Sequence, residues 1–485
     1  MDSAAAERLL RTIRRQRVTR CVHSRHAIRH ATAGAGVINV NGQRSPASPC
    51  DGHRSLILRA RWLLPETGRA IEHAWLRCSR GRVTGIGSGR PPAAERLRQI
   101  DLGEAVITPG LINAHTHLEF SALKEPFPAI GGLVSWIEQV IAWRQQQLVR
   151  GTGGRLSAIR RGLEESAADG VVAVGEIATE CVPAAILSQG PRLRVFRELL
   201  GLGPMQAGYL PPHITVTLRD AQRLSRAGIA IGLSPHAPYS TQWPLGQLAL
   251  RAARQLRQLV RSQTGGGRAI IPLAMHLAES VDEASLLTEQ TGPFRDLFQR
   301  LGVWPKQPPE LARTAHWVSL LARADRGLVI HGTHLPDDPI AMARLRRHRH
   351  RLAVAVCPRT TLALAGRLPP VAAFQAAGLR ICLGTDGRGS NPDLSLRAEA
   401  RCLIEAGVVS PAEALVMVTR NAAWALGFEH KTGRIAVGRP ADLVVLRPGE
   451  APSTVGAATA AVFAADTEVV ATLRGGRPIA GRLTT

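Results

Sequence analysis

The 485-residue sequence predicts an α/β protein: a (β/α)8 barrel of the TIM type with a small β-sandwich built from the segments on either side of it. Three observations point there. Eight apolar strand-like runs recur with helix-length connections, short alternating segments precede and follow them, and histidine or aspartate closes several of the runs.

In chain order, residues 1–54 come first, a basic stretch containing RLLRTIRRQRVTRCVHSRHAIRH and few large apolar side chains, which reads as a disordered extension. It lacks the apolar core of a secretory signal. Residues 55–107 hold SLILRARWLL, AWLRC and RVTGIG, which alternate and break at Gly or Pro as half-exposed strands do, giving the first part of the sandwich. Residues 108–432 are assigned to the barrel. Its runs are AVITPGLINAH, VVAVGEI, LRVFRELLGL, IAIGLSPHA, IIPLAMHLAE, GLVIHGTHL, LAVAVCPRT and LRICLGTDG. Each is nearly all apolar, as a strand covered on both faces must be. Residues 433–485 return to short strands with Gly and Pro turns and complete the sandwich.

Composition narrows the function classes. No stretch of about 18 apolar residues occurs, so no membrane span is expected. The formal charge of +24 suggests a polyanion partner, but all 61 basic residues except Lys124, Lys306 and Lys431 are arginines scattered along the chain, and aromatics for base stacking are scarce. A basic nucleic-acid-binding protein without catalysis is the cross-class alternative. It would need a clustered basic face, which in the sequence only residues 1–54 offer, so no specific nucleic-acid partner is expected. Seven cysteines, odd in number and widely spaced, fit a reducing compartment and a cytoplasmic protein better than a disulfide framework.

In a barrel, chemistry sits at the carboxyl ends of the strands. His115 and His117 close the first run, His236 the fourth, His276 the fifth, His331 the sixth and Asp386 the eighth. Strand side chains alternate, so His115 and His117 share a side and can grip one ion. Imidazoles with one carboxylate suit Zn(II) or Fe(II).

From about Ser55 onward the motifs PGLINAHTH, SPHAPYS, HLAES, HGTH, GTDGRGSN and TRNAAWALGFEHKTGRIAVGRPADLVVL resemble the amidohydrolase superfamily, within it the ATZ/TRZ-like metal-dependent deaminases and chlorohydrolases. The resemblance implies that His115, His117, His276 and Asp386 bind one divalent ion, Zn(II) first and Fe(II) second. It implies that Asp386 also takes a proton from the attacking water, that Glu279 protonates a ring nitrogen, and that His331 orients the water and the developing oxyanion. His334, beyond the strand end, is given a structural or rim role. His236 is expected to bind substrate. Glu119 is expected to contact substrate or to hydrogen-bond a ligand histidine. No lysine lies on the fourth run, which argues for a mononuclear site. HTHLEFSAL and CPRTT are similar to the aminodeoxyfutalosine deaminase branch, whereas CPxSN would mark the S-adenosylhomocysteine and methylthioadenosine branch. The implied reaction is hydrolytic deamination of an amino-substituted purine nucleoside or related heterocycle. Guanine or 8-oxoguanine deamination, S-adenosylhomocysteine or methylthioadenosine deamination, and triazine dechlorination are the alternatives. Arg359, Thr360, Ser390 and Asn391 are expected on specificity loops. The insertion 291–320 is expected to cover the mouth, with Phe298, Trp304 and Trp317 either stacking a heterocycle or simply packing. A small heterocyclic substrate is the expected partner, and a homodimer is left open.

Overall fold

The computed structural model describes residues 55–65, 69–91, 97–150, 152–188, 190–201, 210–263, 267–304 and 310–483. The extension read from residues 1–54 lies outside the described residues.

Two sheets organise the chain. The first takes β1 (Leu56–Leu63), β2 (Ile71–Ser79), β3 (Arg82–Ser88), β4 (Arg98–Asp101) and β5 (Val106–Pro109) from before the barrel. It takes β14 (Leu443–Arg447), β15 (Glu468–Arg474) and β16 (Arg477–Gly481) from after it. Their order is β16-β15-β14-β5-β1-β2-β3, with β4 beside β1. The sheet folds back on itself, because Val83 N at the start of β3 donates to the Arg439 carbonyl at 2.9 Å, just upstream of β14. Inside it Leu58, Leu76, Ile100, Ile107, Val445 and Leu473 form a core of their own.

The barrel sheet contains β6 (Leu111–Thr116), β7 (Val171–Ala178), β8 (Arg192–Leu199), β9 (Ala230–Pro235), β10 (Leu273–Leu277), β11 (Gly327–His331), β12 (Leu352–Val356) and β13 (Arg380–Leu383). All seven adjacent pairs are parallel. The eight runs read from the sequence therefore supply the eight strands. Alternation decides what each strand buries. In β12, Ala353 and Ala355 join the barrel interior while Leu352, Val354 and Val356 pack on the surrounding helices. Ala422, Ala423, Leu426 and Phe428, from the segment after helix Pro411–Val416, pack against the same interior cluster. These small and bulky side chains together fill the interior, each large one contributing on the order of 1.5–3 kcal/mol.

The first run behaves differently from the expectation. AVITPGLINAH is two strands rather than one: β5 pairs with β1 and β14 in the sandwich, and β6 pairs with β7 in the barrel. Gly110 joins them, and a Cβ there would meet Val172 Cγ1 at 2.2 Å. The composition is apolar throughout, so nothing in it marks the change of sheet.

Closure between β13 and β6 comes from the residues just past β13. Thr385 N and Asp386 N donate to the His115 carbonyl at 3.0 and 3.2 Å. Asn113 adds a side-chain clasp, its Nδ2 donating to Thr385 Oγ1 at 2.7 Å and its Oδ1 accepting from Thr385 N at 3.2 Å.

Candidate metal centre

Four donors converge at the carboxyl end of the barrel. One ligand atom each from His115, His117, His276 and Asp386 lies within 4.8 Å of the other three, and all four residues are buried. His115 Nε2 is 3.1 Å and His117 Nε2 3.8 Å from Asp386 Oδ1, and the Nε2 atoms of His117 and His276 are 3.3 Å apart. Separations of this size are the edges of a coordination polyhedron with bonds near 2.0–2.2 Å.

Local structure aims each donor. The register of β6 against β7 slips between Asn113 and Thr116, where the histidine pair begins. His276 is in phase with Ala274, an interior residue of β10. Its Nδ1 lies 3.0 Å from the His236 carbonyl, which fixes the proton on Nδ1 and leaves Nε2 as the donor atom. Asp386 sits in the left-handed region at φ 55° and His331 at φ 64°. Such backbone is costly for these residues and recurs at functional sites. His331 needs it: it is out of phase with the interior residues Leu328 and Ile330, yet its ring centre lies 5.5 Å from that of His276.

The electrostatics suit a cation. Burial, then the nearby His115, pushes the His117 pKa down to about 3, and burial with the neighbouring histidines pushes His276 well below its usual value. Both imidazoles are neutral with a lone pair to give. Burial alone would raise the Asp386 pKa, but the His115 hydrogen bond and the His331 and His117 rings outweigh it and keep the carboxylate ionised. Three imidazoles and one carboxylate, crowded and desolvated, fit a single divalent ion.

Glu279 stands beside this set. Its Oε1 is 3.4 Å from His331 Nε2, and burial together with Asp386 and Glu283 raises its pKa well above the carboxylate range. The turn that presents it is held by Glu283, whose carboxylate accepts from Ala278 N at 2.9 Å and Glu279 N at 3.2 Å. His334 is turned to Asp337 at 3.0 Å, at the rim.

Farther out, Glu119 does not hydrogen-bond a ligand histidine. Its Oε1 accepts from Arg144 Nη2 at 2.5 Å and Nε at 3.1 Å. Thr179 Oγ1 receives a bond from Arg144 at 3.3 Å and donates to Glu198 Oε2 at 2.6 Å, and Glu198 Oε1 faces His236 Nε2 at 3.8 Å. Arg144, Thr179 and Glu198 had no place in the reading of the sequence. Glu198 had a signal, being a lone acidic residue near the end of the third run.

One expectation changes, and of two alternatives one is selected. Arg359, Thr360, Ser390 and Asn391 do not form an open specificity loop; they are an internal brace behind Asp386. Ser390 Oγ donates to Asp386 Oδ2 at 2.5 Å and lies 2.9 Å from Thr360 Oγ1, while Asn391 Nδ2 reaches Thr360 Oγ1 at 3.0 Å and Glu399 Oε1 at 3.2 Å. Arg359 Nε pairs with the same Glu399 oxygen at 2.7 Å. The aromatic side chains of the 291–320 insertion pack rather than wait for a ligand. Trp317 is 1% exposed in the main core, and Phe298 is buried against Phe294 and Trp304.

The sequence matches the model of the amidohydrolase family over residues 106–479. The chain belongs to the amidohydrolase family. Among the family's named enzymes, the 5-methylthioadenosine/S-adenosylhomocysteine deaminase of Saccharophagus degradans is 30% identical over 417 residues, 81% of this chain and 83% of that one. The aminodeoxyfutalosine deaminase of Deinococcus radiodurans is 30% identical over 308 residues, covering 61% and 67%. In fold, this amidohydrolase is similar to Helicobacter pylori aminofutalosine deaminase solved with methylthio-coformycin, with a TM-score of 0.72 at 23% identity over 87% of this chain and 99% of that one. It is also similar to an adenosine deaminase from Xanthomonas campestris with bound zinc, at TM-score 0.65 and 23% identity over 90% and 94%.

Proposed function

We propose that this amidohydrolase hydrolytically deaminates an amino-substituted purine nucleoside or related heterocycle of the aminodeoxyfutalosine kind, with one zinc ion. The carrying observation is the buried, proton-holding Glu279 set against the His115, His117, His276 and Asp386 cluster. A divalent ion held by those four donors would supply a hydroxide nucleophile at neutral pH, since it lowers the pKa of water from 15.7 to about 7.

The chain's own residues complete the chemistry. Asp386 Oδ1 faces the histidine donors and Oδ2 is held by Ser390, which fixes the carboxylate at the cluster, where it accepts a proton from the attacking water. Glu279 enters protonated and donates to the ring nitrogen beside the attacked carbon. His331, within reach of Glu279 and of the donor cluster, orients the oxygen on which charge develops. His236 and Glu119 face the mouth and contact the substrate. The amino group takes up the proton that Asp386 received from the water and leaves as ammonia. A reducing, cytoplasmic setting suits the odd number and wide spacing of the cysteines in the sequence.

The names of the relatives favour a second reading, deamination of methylthioadenosine or S-adenosylhomocysteine. Ammonia release from the zinc-loaded enzyme over aminodeoxyfutalosine, these two nucleosides, guanine, 8-oxoguanine and aminotriazines separates the readings. Release from none of them, or chloride release from a chlorotriazine alone, would overturn deamination. Glu279→Gln is expected to retain one metal per chain and lose on the order of 10²-fold in turnover.

A further inference from the structure

Arginines distant in sequence converge at the end of the barrel opposite the metal centre. Arg326 immediately precedes β11, Arg351 immediately precedes β12, and Arg380 opens β13, so all three mark the amino ends of neighbouring strands. The stretch RRHRHR, residues 346–351, the end of the helix Pro339–Arg347 and the turn after it, contributes exposed Arg346, Arg347, Arg349 and Arg351. Arg380 Nη1 joins this turn by donating to the Arg349 carbonyl at 3.4 Å. The basic cluster that the sequence placed only in residues 1–54 thus has a counterpart in the folded barrel.

Beside Arg380 is a cavity of about 380 Å³ lined by Arg380, Arg420, Asn421, Trp424, Glu429 and Arg434. Glu429 is its one carboxylate, and Arg326 already holds both oxygens at 2.5 and 2.8 Å. Among the described residues neither Arg380 nor Arg434 is ion-paired with a carboxylate. The wall therefore carries more positive charge than it neutralises. Its guanidinium groups are nevertheless positioned: Arg326 and Arg380 lie 4.5 and 4.2 Å from the Trp424 ring centre. Asn421 is anchored by donating to the Ile381 carbonyl at 2.9 Å. Arg420 and Asn421 come from a π-helical turn, Met417–Asn421, a rare geometry often found where a helix serves a site. Burial and the charges of Arg326 and Arg420 depress the Arg380 pKa, the strain of a cationic wall that an anion would relieve.

We propose that this cavity binds a small, multiply charged anion of the phosphate class, gripped by Arg380 and Arg434. Planar guanidinium forks match a tetrahedral oxyanion through paired hydrogen bonds, and a concave cavity of this volume holds a phosphate group rather than a nucleic-acid duplex. The site lies across the barrel from the reacting groups, so it is separate from substrate binding.

Calorimetric titration of inorganic phosphate into the zinc-loaded, full-length protein tests this. Saturable binding at one anion per chain is expected, weakened roughly tenfold or more in Arg380→Gln/Arg434→Gln. Arg434→Glu alone, which leaves the Arg380–Trp424 contact untouched, is expected to weaken it similarly in a protein with unchanged melting temperature. His117→Ala is expected to bind phosphate as the parent does. Absence of saturable binding, equal affinity in the arginine variants, loss of binding in His117→Ala, or retention of duplex DNA without phosphate binding would each overturn the proposal.

Discussion

The carboxylate of the candidate metal centre illustrates how a single residue depends on those behind it. Asp386 has one oxygen facing the histidines and the other fixed by Ser390, which is itself steadied by Thr360, in turn held by Asn391. Removing the Ser390 hydroxyl leaves the ligand present but free to rotate. Ser390→Ala is expected to lower kcat about tenfold with KM nearly unchanged and metal content retained, in line with losses of about 10–100-fold for partners of metal ligands. Loss of activity with an equal rise in KM would instead place Ser390 against the substrate. The four donors were legible in the sequence because each lies at or just past the end of an apolar run, where strand polarity says chemistry belongs. The brace was not. CPRT and GRGSN read as exposed loops, because sequence does not reveal that Arg359 meets Glu399, 40 residues away, inside the protein.

At the scale of elements, the β13–β6 seam decides whether the barrel holds its donors in register. Gly384 sits there because a Cβ would come within 2.7 Å of the His115 carbonyl oxygen and 3.1 Å of its nitrogen, backbone atoms that cannot swing aside. Gly384→Ala is expected to destabilise the fold by about 1–3 kcal/mol, the usual range for overpacking, and to weaken metal binding through His115. Denaturant melts with metal analysis would check both, and an unchanged melt would show that the seam yields. Eight strands were readable from eight apolar runs, since length and burial alone distinguish them. The phase of His331 was not: strict alternation sets it with outward-facing Val329, and only a left-handed backbone turns it inward. The change of sheet at Gly110 was equally hidden, because a strand's partners are chosen by topology and not by its own residues.

At the scale of the molecule, Asp169 is one of the ties between barrel and tail. It accepts from Ser395 Oγ at 2.9 Å and Arg397 N at 3.1 Å, and the Arg397 guanidinium reaches the Val462 and Ala464 carbonyls at 2.8 and 2.7 Å. Burial raises the Asp169 pKa to about 6 despite those hydrogen bonds. The folded chain therefore keeps a proton that the unfolded chain releases near pH 4, and the associated stability is present at low pH and lost as pH rises through about 6. Asp169→Asn is expected to melt progressively higher relative to the parent between about pH 4 and pH 6.5, with a constant offset above. A pH-independent difference would refute this. The same scale gives the Gly110 crossing its meaning. A chain that leaves one sheet and enters the next with a single residue between has no joint at which to bend, and no loop for a protease to sever. Trimming away the small sheet would therefore remove the abutment on which the strand carrying the first two imidazoles rests.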